Sequence, residues 1–220
     1  MNPTMAASSS ATILILLLYI NPSSSSPFNK LYAFGDSFTD TGNTHSGTGP
    51  TSFTHVSNPP YGVTFFKHPT NRYSDGRLVI DFVAQALELP FLPPYTHVRG
   101  VPPQGVNFAV AGSTAINYGF FVKNNLTLDA TPQSIGTQLA WFESFLQRQG
   151  CYGSVSSSPA CESALGNALI WVGEIGVNDY AYAVGSSVGE DTIRNLGIRS
   201  VALFLKVKPW RCRGCFPRVA

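Results

Sequence analysis

Charged side chains are scarce in this sequence. They make up 12% of its 220 residues, against 44% that are hydrophobic, and the formal net charge is +2. So few charges exclude a disordered acidic or basic chain and a coiled coil, and no bulk positive charge indicates a nucleic-acid partner. The charge is uneven, because residues 199–220 carry six basic and no acidic side chains after an acidic body. The length permits one domain with a sizeable core.

No hydrophobic run is long enough to cross a bilayer, which needs about 20 apolar residues. The longest run, residues 11–20 (ATILILLLYI), is followed by a serine cluster, a pattern typical of a secretory signal peptide over residues 1–26. No Lys or Arg precedes the run, and a buried strand or helix segment is the alternative interpretation. We therefore predict a secreted, extracellular protein without a stable membrane span, whose mature chain begins near Pro27 or Phe28.

Cysteine is also rare, with four residues. Cys151 and Cys161 bracket a short Gly/Ser/Pro-rich stretch, so a disulfide between them would close a small surface loop. Cys212 and Cys215 form CRGC without the additional cysteines or histidines of a zinc site, and no βαβ pattern follows that would indicate a redox motif. We interpret them as an incidental pair. Asn125 begins the only N-x-S/T sequon without proline and is a predicted glycosylation site in a secreted chain.

Short apolar segments alternate with longer amphipathic ones. Residues 30–34, 106–111 and 168–172 are apolar and each stops at a glycine, which is typical of buried strands that enter tight turns. No internal repeat or long linker divides the chain. Strands that alternate with amphipathic helices predict an α/β fold, with a parallel sheet covered on both faces.

Three helices are predicted between and after these strands. The first has Asp75 as its N-cap, the second has Thr131 as its N-cap with Pro132 at the first helical position, and the third covers residues 190–205. Their expected apolar stripes are, in order, Val79, Phe82, Val83 and Ala86; Ile135, Leu139, Phe142 and Leu146; and Ile193, Leu196, Val201, Phe204 and Leu205.

A polar turn follows each predicted strand, and the three turns contain Ser37, Gly112 and Asn178. Because chemistry in a parallel sheet gathers beyond the carboxyl ends of its strands, we expect these turns to converge. Ser37 can present its hydroxyl and its own N–H, Gly112 can add an unobstructed N–H, and Asn178 can add an amide that does not ionise. A nucleophile beside donors aimed at a tetrahedral oxyanion indicates acyl transfer.

These turns and their flanking segments resemble the plant GDSL esterase/lipase family, within the SGNH hydrolases. FGDSFTDTGN matches its first block, GVNFAVAGSTA its second and GVND its third, and the intervening run YGVTFFKHPTNRYSDGRLVIDFVAQALELPFLPPY is similar in wording and spacing. The resemblance implies a hydrolase domain over residues 27–206, followed by a divergent basic tail over residues 207–220. The implied fold is a flavodoxin-like three-layer α/β/α sandwich with a parallel sheet, incomplete at its C-terminal side.

By position, the resemblance implies that Ser37 is the nucleophile and an oxyanion donor through its N–H, Gly112 a second N–H donor and Asn178 a side-chain donor. It implies a carboxylic ester hydrolase acting on a small-molecule or lipid ester through an acyl-Ser37 intermediate, with no cofactor and no metal. Three neighbouring polar residues are interpreted as forming the turn or organising the loop: Asp36, Asp40 and Asn43.

Histidine is the other scarce residue. The family's general base is a histidine in a C-terminal DxxH motif, but residues 98–220 contain no histidine. We assign the role to none of the four upstream histidines, which are His45, His55, His68 and His97. The resemblance therefore implies impaired hydrolysis. An internal deletion, intron read-through, a frameshift and an incomplete gene model remain open explanations of the tail.

Several alternatives accompany this interpretation. Residues 185–189 match the G-x-S-x-G nucleophile motif but lack a downstream histidine, so we interpret them as a helix-entry loop. A non-catalytic ester- or glycan-binding remnant of the same fold is the main functional alternative, and a membrane-tethered interaction protein held by an uncleaved leader is a third. Without later strands, the strand at residues 168–172 is expected to expose an apolar edge and to destabilise the chain.

Overall fold

The computed structural model describes residues 26–47, 53, 55–151, 158–206 and 218–219. The predicted signal peptide, apart from Ser26, and the pair Cys212 and Cys215 lie outside these residues. The described strands are β1 (Lys30–Phe34), β2 (Gly105–Asn107), β3 (Ala168–Val172) and β4 (Arg218–Val219). The described α-helices are α1 (Val79–Ala86), α2 (Tyr118–Lys123), α3 (Ile135–Arg148), α4 (Pro159–Leu165), α5 (Val177–Ala183) and α6 (Glu190–Lys206).

The strands form one parallel sheet in the order β2-β1-β3-β4. Tyr32 of β1 pairs with Val106 of β2 on one side and with Ile170 of β3 on the other. The chain therefore fills one side of β1 with β2 and then crosses to the other side for β3, which is the flavodoxin-like order. The predicted α/β fold with a parallel sheet is confirmed.

Each face of the sheet is covered by helices, because successive strand residues point to opposite faces. On one face Tyr32 and Phe34 belong to a core cluster with residues of α3, α4 and α6, including Phe142, Phe145, Leu165 and Phe204. On the other face Leu31 and Ala33 belong to a cluster with α1, including Ile80 and Ala84. Each fully buried large apolar side chain contributes about 1.5–3 kcal/mol. These two layers hold the strand ends in place.

β4 corrects the expectation of a bare edge on β3. Arg218 pairs with Leu169 and Val219 pairs with Ile170, both in parallel. Two residues of the tail thus occupy part of the β3 edge, and β3 itself has the predicted bounds.

β2 is shorter than the predicted strand at residues 106–111. The chain still runs beside β1 after Asn107, since the Phe108 N–H donates to the carbonyl of Ala33 at 2.7 Å. The ladder becomes irregular because Asn43 Nδ2 donates to the carbonyls of Asn107 and Ala109, at 2.9 and 2.8 Å. A side chain has taken the place of a neighbouring strand.

The predicted start of α1 is wrong. The helix begins at Val79 with Leu78 as its N-cap, and Asp75 lies outside it. Its buried residues are Ile80, Asp81 and Ala84, whereas Val79 and Phe82 of the predicted stripe are at least half exposed and Ala86 is also exposed. The helix turns this face inward because Asp81 pairs with Arg72 through two hydrogen bonds, of 2.9 and 2.8 Å, and accepts the Leu78 N–H at 2.9 Å.

The other helices lie closer to their predicted positions. α3 begins at Ile135 with Ser134 as its N-cap, so Thr131 is not the cap; its hydroxyl instead donates to the carbonyl of Ala111 at 2.9 Å. The predicted stripe of α3 packs into the core, with Leu139 partly buried. α6 begins at Glu190 as predicted, but Leu205 is 45% exposed and does not belong to its buried side.

A disulfide joins Cys151 and Cys161, the pair that the sequence favours. Ser158 caps α4, because its hydroxyl accepts the N–H of Cys161 at 3.1 Å. Among the residues that the structure describes, no helix is both long and apolar enough to cross a membrane.

Candidate active site

The turns after β1, β2 and β3 meet at one edge of the sheet. Asn178 Nδ2 lies 2.9 Å from Oδ2 of Asp36 and 2.9 Å from the carbonyl oxygen of Ser113, and it donates a hydrogen bond to each. Asp36 directly precedes Ser37, and Ser113 directly follows Gly112. One side chain therefore connects the three turns, and the structure brings the predicted residues into one candidate site.

Asp36 forms the turn that carries Ser37. Its Oδ1 accepts the N–H of Phe38 at 3.0 Å, and its carbonyl accepts the N–H groups of Thr39 and Asp40 at 3.0 and 2.9 Å. Asp36 is fully buried, Ser37 is half-buried and Phe38 is 63% exposed. The turn thus places Ser37 at the boundary between the core and the surface.

Gly112 occupies a position that only glycine fits. Its φ is +78°, which L side chains rarely adopt. An added Cβ would lie 2.6 Å from Cε2 of Phe53 and 2.7 Å from the Tyr182 hydroxyl, and it would overlap Oγ1 of Thr131. The Tyr182 hydroxyl also donates to the carbonyl of Gly112 at 2.8 Å and so holds this turn. Within the described part of the chain, the N–H groups of Gly112 and Ser37 donate to no protein acceptor.

The amide of Asn178 is already engaged. Its two N–H groups match its two acceptors, the Asp36 carboxyl and the Ser113 carbonyl. Donation to an oxyanion therefore requires that one of these bonds be shared or released. Asn178 lies in the first turn of α5, whose N-cap is Gly176 with a φ of 135°. The sequence predicted this residue in a turn and missed the short helix.

Asp40 and Asn43 fasten the Ser37 turn to the strand beside it, in agreement with their interpretation as loop organisers. The buried Asp40 carboxylate accepts the N–H groups of Gly42, Asn43, Thr44 and Ala111 at 2.6–3.0 Å. Burial raises the pKa of Asp40, while these hydrogen bonds act in the opposite direction.

Asp179 gives the second turn a similar anchor. Its Oδ2 and Oδ1 accept the N–H groups of Ala115 and Ile116, both at 2.8 Å. Burial raises the pKa of Asp179 to about 6, against the lowering effect of these hydrogen bonds. The sequence contained this residue in GVND but offered no partner for it, since Ala115 lies 64 positions earlier.

The carboxyl group of Asp36, like that of Asp40, has a raised pKa. Burial, together with a side-chain hydrogen bond with Glu174, raises the pKa of Asp36 to about 8, against the lowering effect of the Phe38 N–H. Glu174 is exposed and its Oε1 accepts the N–H of Val177 at 3.1 Å. At neutral pH, Asp36 is therefore largely protonated and carries little charge toward Asn178.

Gln138 is a site residue that sequence reasoning missed. It lies among the apolar positions of α3, is fully buried and reaches the turns after β1 and β2. The available signal was a long polar side chain between Ile135 and Phe142, on the face that the stripe directs inward.

The remaining nucleophile and base candidates lie elsewhere. All four histidines lie among the described residues, and none of their side chains hydrogen-bonds to Ser37. The rings of His45 and His97 stack on each other, with centroids 6.0 Å apart. The G-x-S-x-G segment at residues 185–189 joins α5 to α6, so it does not follow a strand as a nucleophile elbow requires.

Comparisons with known proteins identify the family of the chain. The GDSL-like lipase/acylhydrolase family model matches residues 31–197. A GDSL esterase/lipase of Arabidopsis thaliana is 59% identical over 187 residues, which are 82% of this chain and 47% of that protein. An acetylajmalan esterase of Rauvolfia serpentina is 45% identical and a sinapine esterase of Brassica napus 42% identical, over 71% and 70% of this chain and 39% of each relative. This chain thus spans less than half the length of these relatives. From its strand-end turns and these matches, the chain belongs to the GDSL-like lipase/acylhydrolase family.

Proposed function

We propose that this chain carries the nucleophile and oxyanion-binding part of a carboxylic ester hydrolase. The observation that carries the proposal is the Asn178 amide, which connects the Ser37 turn to the Gly112 turn at the carboxyl edge of the sheet. Two of the relatives are named as esterases, which supports the same class of reaction. The substrate is a small-molecule or lipid ester.

The reaction follows the ordinary course of serine acyl transfer. Ser37 Oγ forms a bond to the ester carbonyl carbon while its proton passes to a base, and the carbonyl oxygen becomes an oxyanion. The tetrahedral intermediate collapses, the C–O bond to the alcohol breaks, and the alcohol leaves with a proton. Water then attacks acyl-Ser37, releases the carboxylic acid and restores the serine.

The N–H groups of Ser37 and Gly112 are the backbone donors for the oxyanion in this proposal. Asn178 is the third donor, once its hydrogen bond to Asp36 or to Ser113 is shared. Each such donor is worth about 2.7–4 kcal/mol at the transition state.

The base is the missing component in these 220 residues, which contain no DxxH histidine. We propose that the chain by itself hydrolyses esters slowly, because an unassisted serine hydroxyl is a weak nucleophile. We also propose that it is secreted after removal of residues 1–26, and that Asn125, which is exposed, carries a glycan.

Covalent labelling tests the nucleophile separately from turnover. The full chain is treated with a fluorophosphonate probe, and the modified residue is located by mass spectrometry. We expect slow labelling of Ser37, because no base assists it, loss of labelling in Ser37→Ala and a wild-type labelling rate in Ser144→Ala, whose exposed hydroxyl lies on α3. A folded chain that remains unlabelled, or equal labelling of Ser37→Ala, would contradict the proposal.

Chemical rescue tests the missing base. Imidazole can replace an absent histidine, so it should accelerate p-nitrophenyl acetate hydrolysis by the wild-type chain above the rate that it gives with Ser37→Ala. Equal acceleration of both proteins would show that Ser37 takes no part.

The second candidate function is binding of an ester without hydrolysis. The engaged state of the Asn178 amide favours it, because a site whose donor stays bound to Asp36 cannot stabilise an oxyanion fully. This candidate expects saturable binding of a non-reactive ester analogue by a chain that the fluorophosphonate does not label.

A further inference from the structure

We infer that Gln138 is a positioning residue that locks the Ser37 turn to the Gly112 turn. This inference rests on the proposed function for its catalytic consequence. Its structural part stands on the contacts of one fully buried side chain.

The side-chain amide of Gln138 pairs with both backbone polar groups of Gly35, in the Ser37 turn. Its Oε1 accepts the N–H of Gly35 at 3.0 Å, and its Nε2 donates to the carbonyl of Gly35 at 2.7 Å. Gly35 lies between β1 and Asp36, where its N–H has no backbone acceptor among the described residues and its carbonyl also accepts the Val110 N–H, at the longer distance of 3.3 Å. The side chain therefore acts as a short piece of neighbouring backbone at the point where the sheet ends.

The same amide also contacts the Gly112 turn. Gln138 Nε2 donates to the hydroxyl of Ser113 at 2.8 Å, and this hydroxyl donates in turn to the carbonyl of Gln133 at 3.1 Å. The N-terminus of α3 is attached to this turn as well, because the Ile135 N–H donates to the carbonyl of Thr114 at 2.8 Å. All three groups of the Gln138 amide are thus used, and they span the two turns that carry Ser37 and Gly112.

The consequence for catalysis is geometric. Asn178 connects the two turns from the α5 side, and Gln138 connects them from the α3 side. A carboxylate at position 138 would lose both donors and set an acceptor oxygen against the Gly35 carbonyl, and an apolar group would leave the buried Gly35 N–H unpaired. The turns would then shift relative to each other, and a displacement of about 1 Å at such a site lowers the rate by about a hundredfold.

The test compares Gln138→Glu with Phe142→Leu in the full chain. Gln138→Glu keeps the shape and the acceptor for the Gly35 N–H but loses both donors. Phe142 is equally buried one turn later on α3 and does not belong to either turn, so Phe142→Leu controls for loss of core packing. Ser113→Ala removes the Nε2–Oγ contact together with the hydrogen bond from this hydroxyl to the Gln133 carbonyl, keeps both Gln138–Gly35 bonds, and serves as a milder variant if Gln138→Glu does not fold.

Two measurements decide the matter. Hydrogen–deuterium exchange should accelerate in the peptides around Gly35 and Ser113 in Gln138→Glu, and in the Ser113 peptide in Ser113→Ala, but not in these peptides in Phe142→Leu. The fluorophosphonate labelling rate per folded molecule should fall about tenfold to a hundredfold in Gln138→Glu. It should stay near the wild-type value in Phe142→Leu.

Unchanged exchange in both turns of a folded Gln138→Glu or Ser113→Ala variant would overturn the inference. Accelerated exchange with an unchanged labelling rate would reduce Gln138 to a structural residue. If the wild-type chain is not labelled at all, the proposed function fails, whereas the exchange data still decide whether Gln138 locks the turns.

Discussion

Asp36 is a carboxyl group held out of water beside the proposed nucleophile. Burial and Glu174 raise its pKa from 3.8 in a model compound to about 8, so the folded chain keeps a proton that the unfolded chain releases. Folding thus takes up a proton at Asp36 between these two pH values. The free energy of unfolding therefore falls as the pH rises through this window, and the contribution becomes constant above it.

Asp36→Asn should remove this contribution. Between about pH 6.5 and about pH 7.5, the wild-type free energy of unfolding should fall with a steeper slope than that of the variant, by at most about 1.4 kcal/mol per pH unit. Urea denaturation at each pH measures both slopes. Asp75→Asn removes an exposed carboxyl group and should keep the wild-type slope. Parallel curves for wild type and Asp36→Asn would show that Asp36 ionises normally.

At the scale of the element, the turn after β2 requires its glycine, whereas the short helix α2 does not. Gly112 has a positive φ and surrounding atoms where a Cβ would lie, whereas Gly119 lies in α2 with no atom within 4 Å of an added Cβ. The same substitution is therefore expected to act with opposite sign at these two positions.

Gly112→Ala should destabilise the chain by about 1–3 kcal/mol and lower fluorophosphonate labelling, because the backbone must strain or the turn must move. Gly119→Ala should stabilise it by up to about 1 kcal/mol, since alanine favours a helix. Denaturant unfolding and labelling rates measure both effects. A neutral Gly112→Ala variant would mean that the turn does not require its observed backbone conformation.

The elements were predictable from the sequence where local pattern and burial agree. β1 and β3 have their predicted bounds because short apolar runs buried on both faces have few alternatives. β2 ends early because the side chain of Asn43, which is distant in sequence, donates hydrogen bonds to the carbonyls of Asn107 and Ala109. α1 starts at Val79 because Asp81, its third residue, accepts the Leu78 N–H, and the ion pair with Arg72 that holds this carboxylate has no local signal in the sequence.

The site was predictable in its composition and less so in its connections. Ser37, Gly112 and Asn178 follow strands, and parallel topology alone directs their turns to one edge. Gln138 and Asp179 were missed because their partners, apart from the Ser113 hydroxyl, are backbone groups up to 103 positions away, which have no side-chain signature in the sequence. The sequence also did not predict that both Asn178 N–H groups are hydrogen-bonded, because these bonds of 2.9 Å depend on how the three turns meet in the folded chain.

At the scale of the whole molecule, the predicted secretion has a surface consequence. Asn125 is exposed with a φ of 57°, two residues after the end of α2. The Cys151–Cys161 disulfide is also compatible with an oxidising compartment.

Expression in a plant or other eukaryotic secretory system should yield a chain that lacks residues 1–26 and loses mass on treatment with an N-glycan-removing amidase. Asn125→Gln should abolish the mass change without altering the fluorophosphonate labelling rate. Asn124→Gln is the matched control, because it leaves the sequon intact. N-terminal sequencing and mass spectrometry give the outcome, and a recovered chain that retains Met1 would contradict the secretion proposal.

The Asn178 amide also sets an order of events in the formation of the molecule. It holds Asp36 from 142 positions away, and Gln138 holds Gly35 from 103 positions away. Contacts at such separations form late in folding. During synthesis, the Asn178 contact cannot form before α5 has left the ribosome, and the Gln138 contact cannot form before α3 has left it. The nascent chain therefore carries Ser37 for most of its synthesis without the contacts that position its turn beside the Gly112 turn. We expect reactivity at this serine to arise only once most of the domain has been made.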